Sequence, residues 1–143
     1  MPETWISNRR RHARVRVGNV PNGQEIPWEL TVDVNGSRIP PRISIHDILV
    51  VPSQATIFGF RIFTRATRIH NINDVRYSLI YEDTWGAAPV ASADALRDRT
   101  DVSYVDDDAI DEGQESLGTI YGSLEIQAAA NNSAFLIDIF YSL

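Results

Sequence analysis

The sequence has no cysteine, no lysine, a single methionine and no long apolar run. Without cysteine there is no disulfide scaffold, no thiolate metal site and no cysteine nucleophile. Such a chain folds equally well in reducing or oxidising surroundings, so the compartment stays open. The longest apolar runs, such as 48–52 and 134–137, fall far short of the roughly 20 residues a helix needs to cross a bilayer. The opening MPETWISNRRRHARVR carries arginines with no apolar segment behind them. No transmembrane segment and no secretory leader are therefore predicted. The expected location is cytoplasmic on synthesis. All 13 basic residues are arginine, so every fixed positive charge is a planar fork suited to carboxylate or phosphate.

Catalytic motifs are missing too. There is no GxSxG, no phosphate-binding loop and no GxGxxG. A Ser–His–Asp triad would have to be assembled entirely by the fold. His12, His46 and His70 stand in no metal-binding spacing. His46 and Asp47 are adjacent, but on a regular strand neighbours point to opposite faces and form no dyad. A flexible run of acids does not hold two carboxylates across a cleft, as glycoside hydrolysis requires. The sequence predicts neither an enzyme nor a cofactor.

What is present is a strand pattern. At 143 residues and 43% apolar, the chain fits one domain with its own core. Trp28, Leu30, Val32 and Val34 share one parity, and Asn35-Gly36 closes that strand with a turn signal. Pro40-Pro41 belongs at an edge or in a loop. Residues 43–51 read as a strand. Residues 56–69 read as a long one with a bend near Gly59 or Thr64, and His70 to Asp74 as a loop. Val75, Tyr77, Leu79 and Tyr81 alternate. Residues 117–127 carry Ile120, Leu124 and Ile126 on one side. The last strand carries Phe135, Ile137, Ile139, Tyr141 and Leu143. Seven or eight such strands with polar turns predict an all-β antiparallel sandwich of jelly-roll type.

Residues 83–116 read as a long acidic loop, with two helical turns over Ser92 to Arg99 capped by Ser92. Aligning Gly113 with the glycine of a calcium-binding loop puts Ile110 at a ligand position and Thr119 at the closing Glu, so that motif fails. Asp106, Asp108 and Asp111 remain a weak calcium candidate; a solvated loop or an arginine-docking segment accounts for them as well.

Charge is unevenly distributed. Residues 1–76 hold 11 Arg against 6 acids, a formal +5, and residues 77–143 hold 2 Arg against 13 acids, a formal −11. Either the halves neutralise each other within the fold, or the basic region of one copy meets the acidic region of the next. Arg9, Arg10, Arg11, Arg14 and Arg16 form the densest basic cluster. They give residues 1–16 the character of an arginine-rich arm preceding a domain over 17–143. Such an arm contacts another subunit or a polyanion. Nucleic acid is the weaker partner, because the chain is acidic overall and no aromatic residues interleave with the arginines.

These features predict a non-catalytic structural protein that associates with itself or with other structural subunits. A virus or phage particle component, either capsid or capsid decoration, fits best. A carbohydrate-binding, lectin-like module is the alternative: Trp5, Trp28 and Trp85 could line a sugar face. The sequons at Asn35 and Asn131 are turn residues that need no glycan.

Overall fold

A computed structural model describes residues 10–54, 56–85, 96–129 and 133–143. Eight strands form: β1 (Arg11–Val20), β2 (Glu25–Leu30), β3 (Arg42–Pro52), β4 (Thr56–Phe63), β5 (Leu79–Trp85), β6 (Leu96–Val105), β7 (Ile120–Ala129) and β8 (Ser133–Ser142). One short helix, α1 (Asp107–Asp111), lies between β6 and β7. The strands make two four-stranded antiparallel sheets, ordered β1-β8-β3-β6 and β2-β7-β4-β5. The chain crosses between sheets at every step but β4 to β5. This order places the first strand beside the last and the second beside the seventh. It is the jelly-roll arrangement of two interleaved Greek keys.

The core lies between the sheets. One contributes Ile45, Ile48, Val50, Ile137 and Ile139; the other contributes Phe58, Phe60, Ile62, Leu124 and Ile126, all buried. Phe58 meets Phe135 of the opposite sheet edge to face, at 5.0 Å. Trp28 stacks on Phe60 at 5.3 Å. Its indole occupies the space above Gly122, where any Cβ would lie 2.0 Å from the ring. Gly122 is therefore small so that Trp28 can enter the core. Each fully buried aromatic of this kind contributes roughly 2–3 kcal/mol relative to exposure.

Several sequence expectations are corrected. The strand through Trp28 stops at Leu30, and Val32 makes only an isolated bridge to Arg38. The cause is Asp33, whose carboxylate accepts from the N–H groups of Asn35 and Ser37 and draws the chain into a turn through Gly36 at φ 84°. Val75 and Tyr77 precede β5. Val75 falls in a turn because the Asp74 carboxylate accepts from Arg76 N–H, and Tyr77 makes only an isolated bridge to Ile69. Leu143 lies beyond β8 and is exposed.

The stretch expected as one acidic loop, 83–116, contains the end of β5, all of β6 and α1. Leu96 to Arg99 are extended, not helical, and Ser92 lies outside the described residues. The strand LRDRTDVSYV was hidden by its polarity, which an edge strand tolerates because one side faces water. The bend near Thr64 is where β4 ends.

Candidate protein–protein interface

The arginine cluster is divided by the pleat of β1. Ala13, Val15 and Val17 pair with Ile139, Ile137 and Phe135 on the core side, and Arg11 shares their parity opposite Tyr141. Arg10, His12, Arg14 and Arg16 share the other parity, on the outer face. Residues 11–16 of the stretch read as an arm are thus hydrogen-bonded sheet, while Arg9 lies outside the described residues. The four described arginines of the cluster, Arg10, Arg11, Arg14 and Arg16, are therefore split between two faces of β1.

On that outer face each carboxylate is met by its own small set of basic groups. Asp138, buried to 2% exposure, accepts from Arg14 Nε at 2.7 Å and lies 2.5 Å from His12 Nε2. The His12 ring stacks on Phe140 at 4.4 Å. Burial alone would raise the Asp138 pKa, but the hydrogen bonds from Arg14 and His12 outweigh it and hold the carboxyl below its ordinary value. Arg10 binds Asp47, which Arg99 approaches at 3.5 Å. Arg16 is exposed. Among these groups a depression of about 550 Å³ is lined by Arg10, Asp47, Ile48, Leu49, Arg99 and Phe140. Apolar side chains line part of it, and two guanidinium groups stand at its sides.

A bulge in β3 between Ile45 and Asp47 breaks the alternation expected for His46 and Asp47. His46 Nδ1 lies 2.7 Å from Asp101 and its Nε2 2.7 Å from Ser142 Oγ. The fold thus does bring a serine, a histidine and an aspartate into a chain, from positions so far apart that no motif could announce it. Three features argue for a clamp between strands. Ser142 is paired with Ser44 in the ladder, the Asp101 side chain is 70% exposed, and none of the three lines the adjacent depression. Acyl transfer further needs fixed donors aimed at a developing oxyanion.

The outer face of the second sheet is organised differently. Arg61 alone donates to Glu82 at 2.6 Å, Glu25 at 2.8 Å and Glu125 at 3.3 Å. Burial opposes the charge on Glu25, yet hydrogen bonds from Ser123, Arg61 and His70 keep its pKa low. The β4–β5 connection, residues 64–78, lies over this face. Arg68 donates to the carbonyls of Gly122 and Trp28 and to Glu29, with its guanidinium over the Tyr121 ring. His70 reaches Glu25 at 3.2 Å. Burial and the nearby Asp106 and Asp108 push the Tyr121 hydroxyl up to about 12.

The three weak calcium candidates have separate tasks. Asp106 is buried, caps α1 by accepting from Ala109 N–H, and accepts from Thr119 N–H at 2.7 Å. Asp108 accepts from Ala66 N–H and, with Asp111, from Arg65. Among the described residues no three His, Asp or Glu side chains converge as a metal site. Trp28 is buried, Asn35 sits in a turn, and Trp5 and Asn131 lie outside the described residues.

The basic and acidic halves of the chain meet inside the fold: β1 pairs with β8, Arg61 with Glu82 and Glu125, and Arg65 with Asp108 and Asp111. What survives is a difference between faces. On the first sheet Arg10, Arg14, Arg16 and Arg99 stand against Asp47, Asp101 and Asp138. On the second, Glu25, Glu29, Glu82 and Glu125 stand against Arg61 and Arg68. Sequence reasoning had no signal for this, since it depends on register.

No protein-family model matches the chain, and no curated protein sequence does. Among solved structures the chain is similar to one in the X-ray structure of tomato aspermy virus. That match has 9% identity and a TM-score of 0.52, over 94% of this chain and 78% of the other. A second similarity is to a chain in the structure of infectious bursal disease virus, Gx strain, at 7% identity with a TM-score of 0.29; it covers 95% of this chain but 33% of that one. At such identities the first likeness is one of fold: the sandwich described here is an architecture similar to that of a chain of tomato aspermy virus.

Proposed function

We propose that this protein is a non-catalytic structural subunit of a virus or phage particle, as capsid or capsid decoration, working through contacts with copies of itself or with other structural subunits. The observation that carries the reading is the strand order β1-β8-β3-β6 over β2-β7-β4-β5, in a fold similar to that of the tomato aspermy virus chain over 94% of this chain and 78% of that one. The same fold serves unrelated proteins, so the surface must supply the rest of the argument. Two features of the surface support association. The outer faces are oppositely biased in charge, and the first carries a part-apolar depression. Arg9, Arg10, Arg11, Arg14 and Arg16 remain the proposed partner-binding set. Arg11 and Arg16 have no carboxylate partner among the described residues, whereas Arg10 and Arg14 bind Asp47 and Asp138 within the chain.

Native mass by light scattering after size-exclusion chromatography, at low and high salt, tests this reading. The expected result is a species well above the 16.0 kDa of one chain, shifting toward smaller species as salt screens arginine–carboxylate contacts. A monomer at every concentration and salt overturns self-association.

A further inference from the structure

We infer that the contact between copies is heterologous, and that the loop tip at residues 71–76 of one copy seats in the depression on the β1-β8-β3-β6 face of the next. This rests on the self-association reading and names the surfaces involved. The tip carries the two most exposed large apolar side chains described, Ile72 at 77% and Val75 at 101%. Scattered surface apolar residues are ordinary, but these two are three positions apart on one short tip.

The tip is also already ordered. Asp74 N–H donates to the Asn71 carbonyl, and Tyr77 N–H to that of Asp74. The Asn71 side chain accepts from Asn73 N–H. The Asp74 carboxylate accepts from Arg76 through both its backbone and its guanidinium. Behind the tip, Ile69 and Tyr77 form a bridge, and Ser78 N–H donates to the Ile69 carbonyl. A loop held in this way gives up little conformational freedom on docking.

The depression is the matching half. Its volume of about 550 Å³ is in the range that encloses a drug-sized ligand, so it admits two aliphatic side chains. Leu49 and Phe140 offer apolar contact, and Arg10 and Arg99 stand at its sides. The surroundings match in charge. The loop lies on the face that carries Glu25, Glu29, Glu82 and Glu125, and the depression lies on the face with the arginine excess. Knob and hole occupy different faces of one sandwich. A contact between them therefore repeats from copy to copy and closes into a ring or shell, or extends as an array.

The absence of cysteine makes the test clean. Two variants, Val75→Cys and Leu49→Cys, are mixed under mild oxidation, with Gln24→Cys replacing Leu49→Cys as an exposed control. The expected result is a covalent Val75→Cys–Leu49→Cys dimer that forms at least about tenfold faster than the control pair. Val75→Asp, which removes no buried contact, is expected to weaken association about tenfold while leaving the thermal melt unchanged. Suppose the wild type is oligomeric by light scattering, yet the disulfide pair does not form and Val75→Asp associates normally. This contact is then wrong, while self-association stands. A wild type that stays monomeric at all concentrations overturns both.

Discussion

The two outer faces of this sandwich are built on the same pleat and solve the same problem in opposite ways. On the β1-β8-β3-β6 face each carboxylate has its own basic partners, Arg10 and Arg99 on Asp47 and Arg14 and His12 on Asp138, and a depression lies between them. On the β2-β7-β4-β5 face three glutamates share Arg61, and the chain's own 64–78 loop lies on top, fastened by Arg68 and His70. A face covered by its own loop has its contacts supplied from within. Among the described residues no loop lies over the first face, and its part-apolar recess is open. Under the proposed self-association, the connection that covers one face and leaves the other open decides where a partner docks, more than where charges are densest in the sequence.

The largest difference between the faces should appear when their central cations are removed. The Arg61 side chain is 12% exposed. Arg61→Ala removes the guanidinium that Glu25, Glu82 and Glu125 share, leaving Glu25 with only Ser123 and His70. Removing one partner of a fully buried pair costs about 3–5 kcal/mol. These glutamates are 31–46% exposed, so water offsets part of that and the expected loss is about 2 kcal/mol. Arg14→Ala on the other face should cost clearly less, because Asp138 keeps His12. Urea unfolding of the two variants measures both. Equal losses would mean that the sharing of Arg61 has no energetic weight.

The second contrast is in pH. Asp138 has a folded pKa below its unfolded value of about 4. Its charged form therefore stabilises the fold above that value, and the contribution is lost as pH falls from about 4 through the folded pKa. Asp138→Asn lacks the contribution at neutral pH already. The variant should be less stable than wild type at pH 7, and the gap should close on acidification below pH 4. Unfolding midpoints from pH 7 to pH 3 check this. A gap that stays constant would assign the effect of the substitution to packing, not to charge.

Much of the architecture was legible because alternation is a local property. Phe58, Phe60 and Ile62, or Phe135 through Tyr141, declare their faces in any register, and both sets are buried. The polar strand β6 was not legible, since an edge strand needs only its pairing partner, and β3 lies far away in sequence. The faces were harder still. Arg14 meets Asp138, and Arg61 meets Glu25 and Glu125, through strand order alone. The split between a basic half and an acidic half, clear in the sequence, is mostly consumed inside the fold because a jelly roll interleaves its first and last strands. Val75 alternated correctly for a strand, yet became a loop tip when the Asp74 carboxylate captured the backbone N–H of Arg76.

The smallest expected effect distinguishes a surface clamp from a reactive group on the bare face. Ser142, His46 and Asp101 have the connectivity of a nucleophile, a base and an orienting carboxylate. The geometry fixes His46 at a bulge where β3, β6 and β8 meet, and a clamp accounts for that position fully. Ser142→Ala and His46→Ala should each leave the hydrolysis of a nitrophenyl ester at the level of wild type and of buffer. His46→Ala should lower Tm by about 2 °C through loosened strand contacts. Ester hydrolysis by the wild type that disappears in both variants alike would turn the clamp into a catalytic group. It would also make the β1-β8-β3-β6 face a place for chemistry as well as for contact.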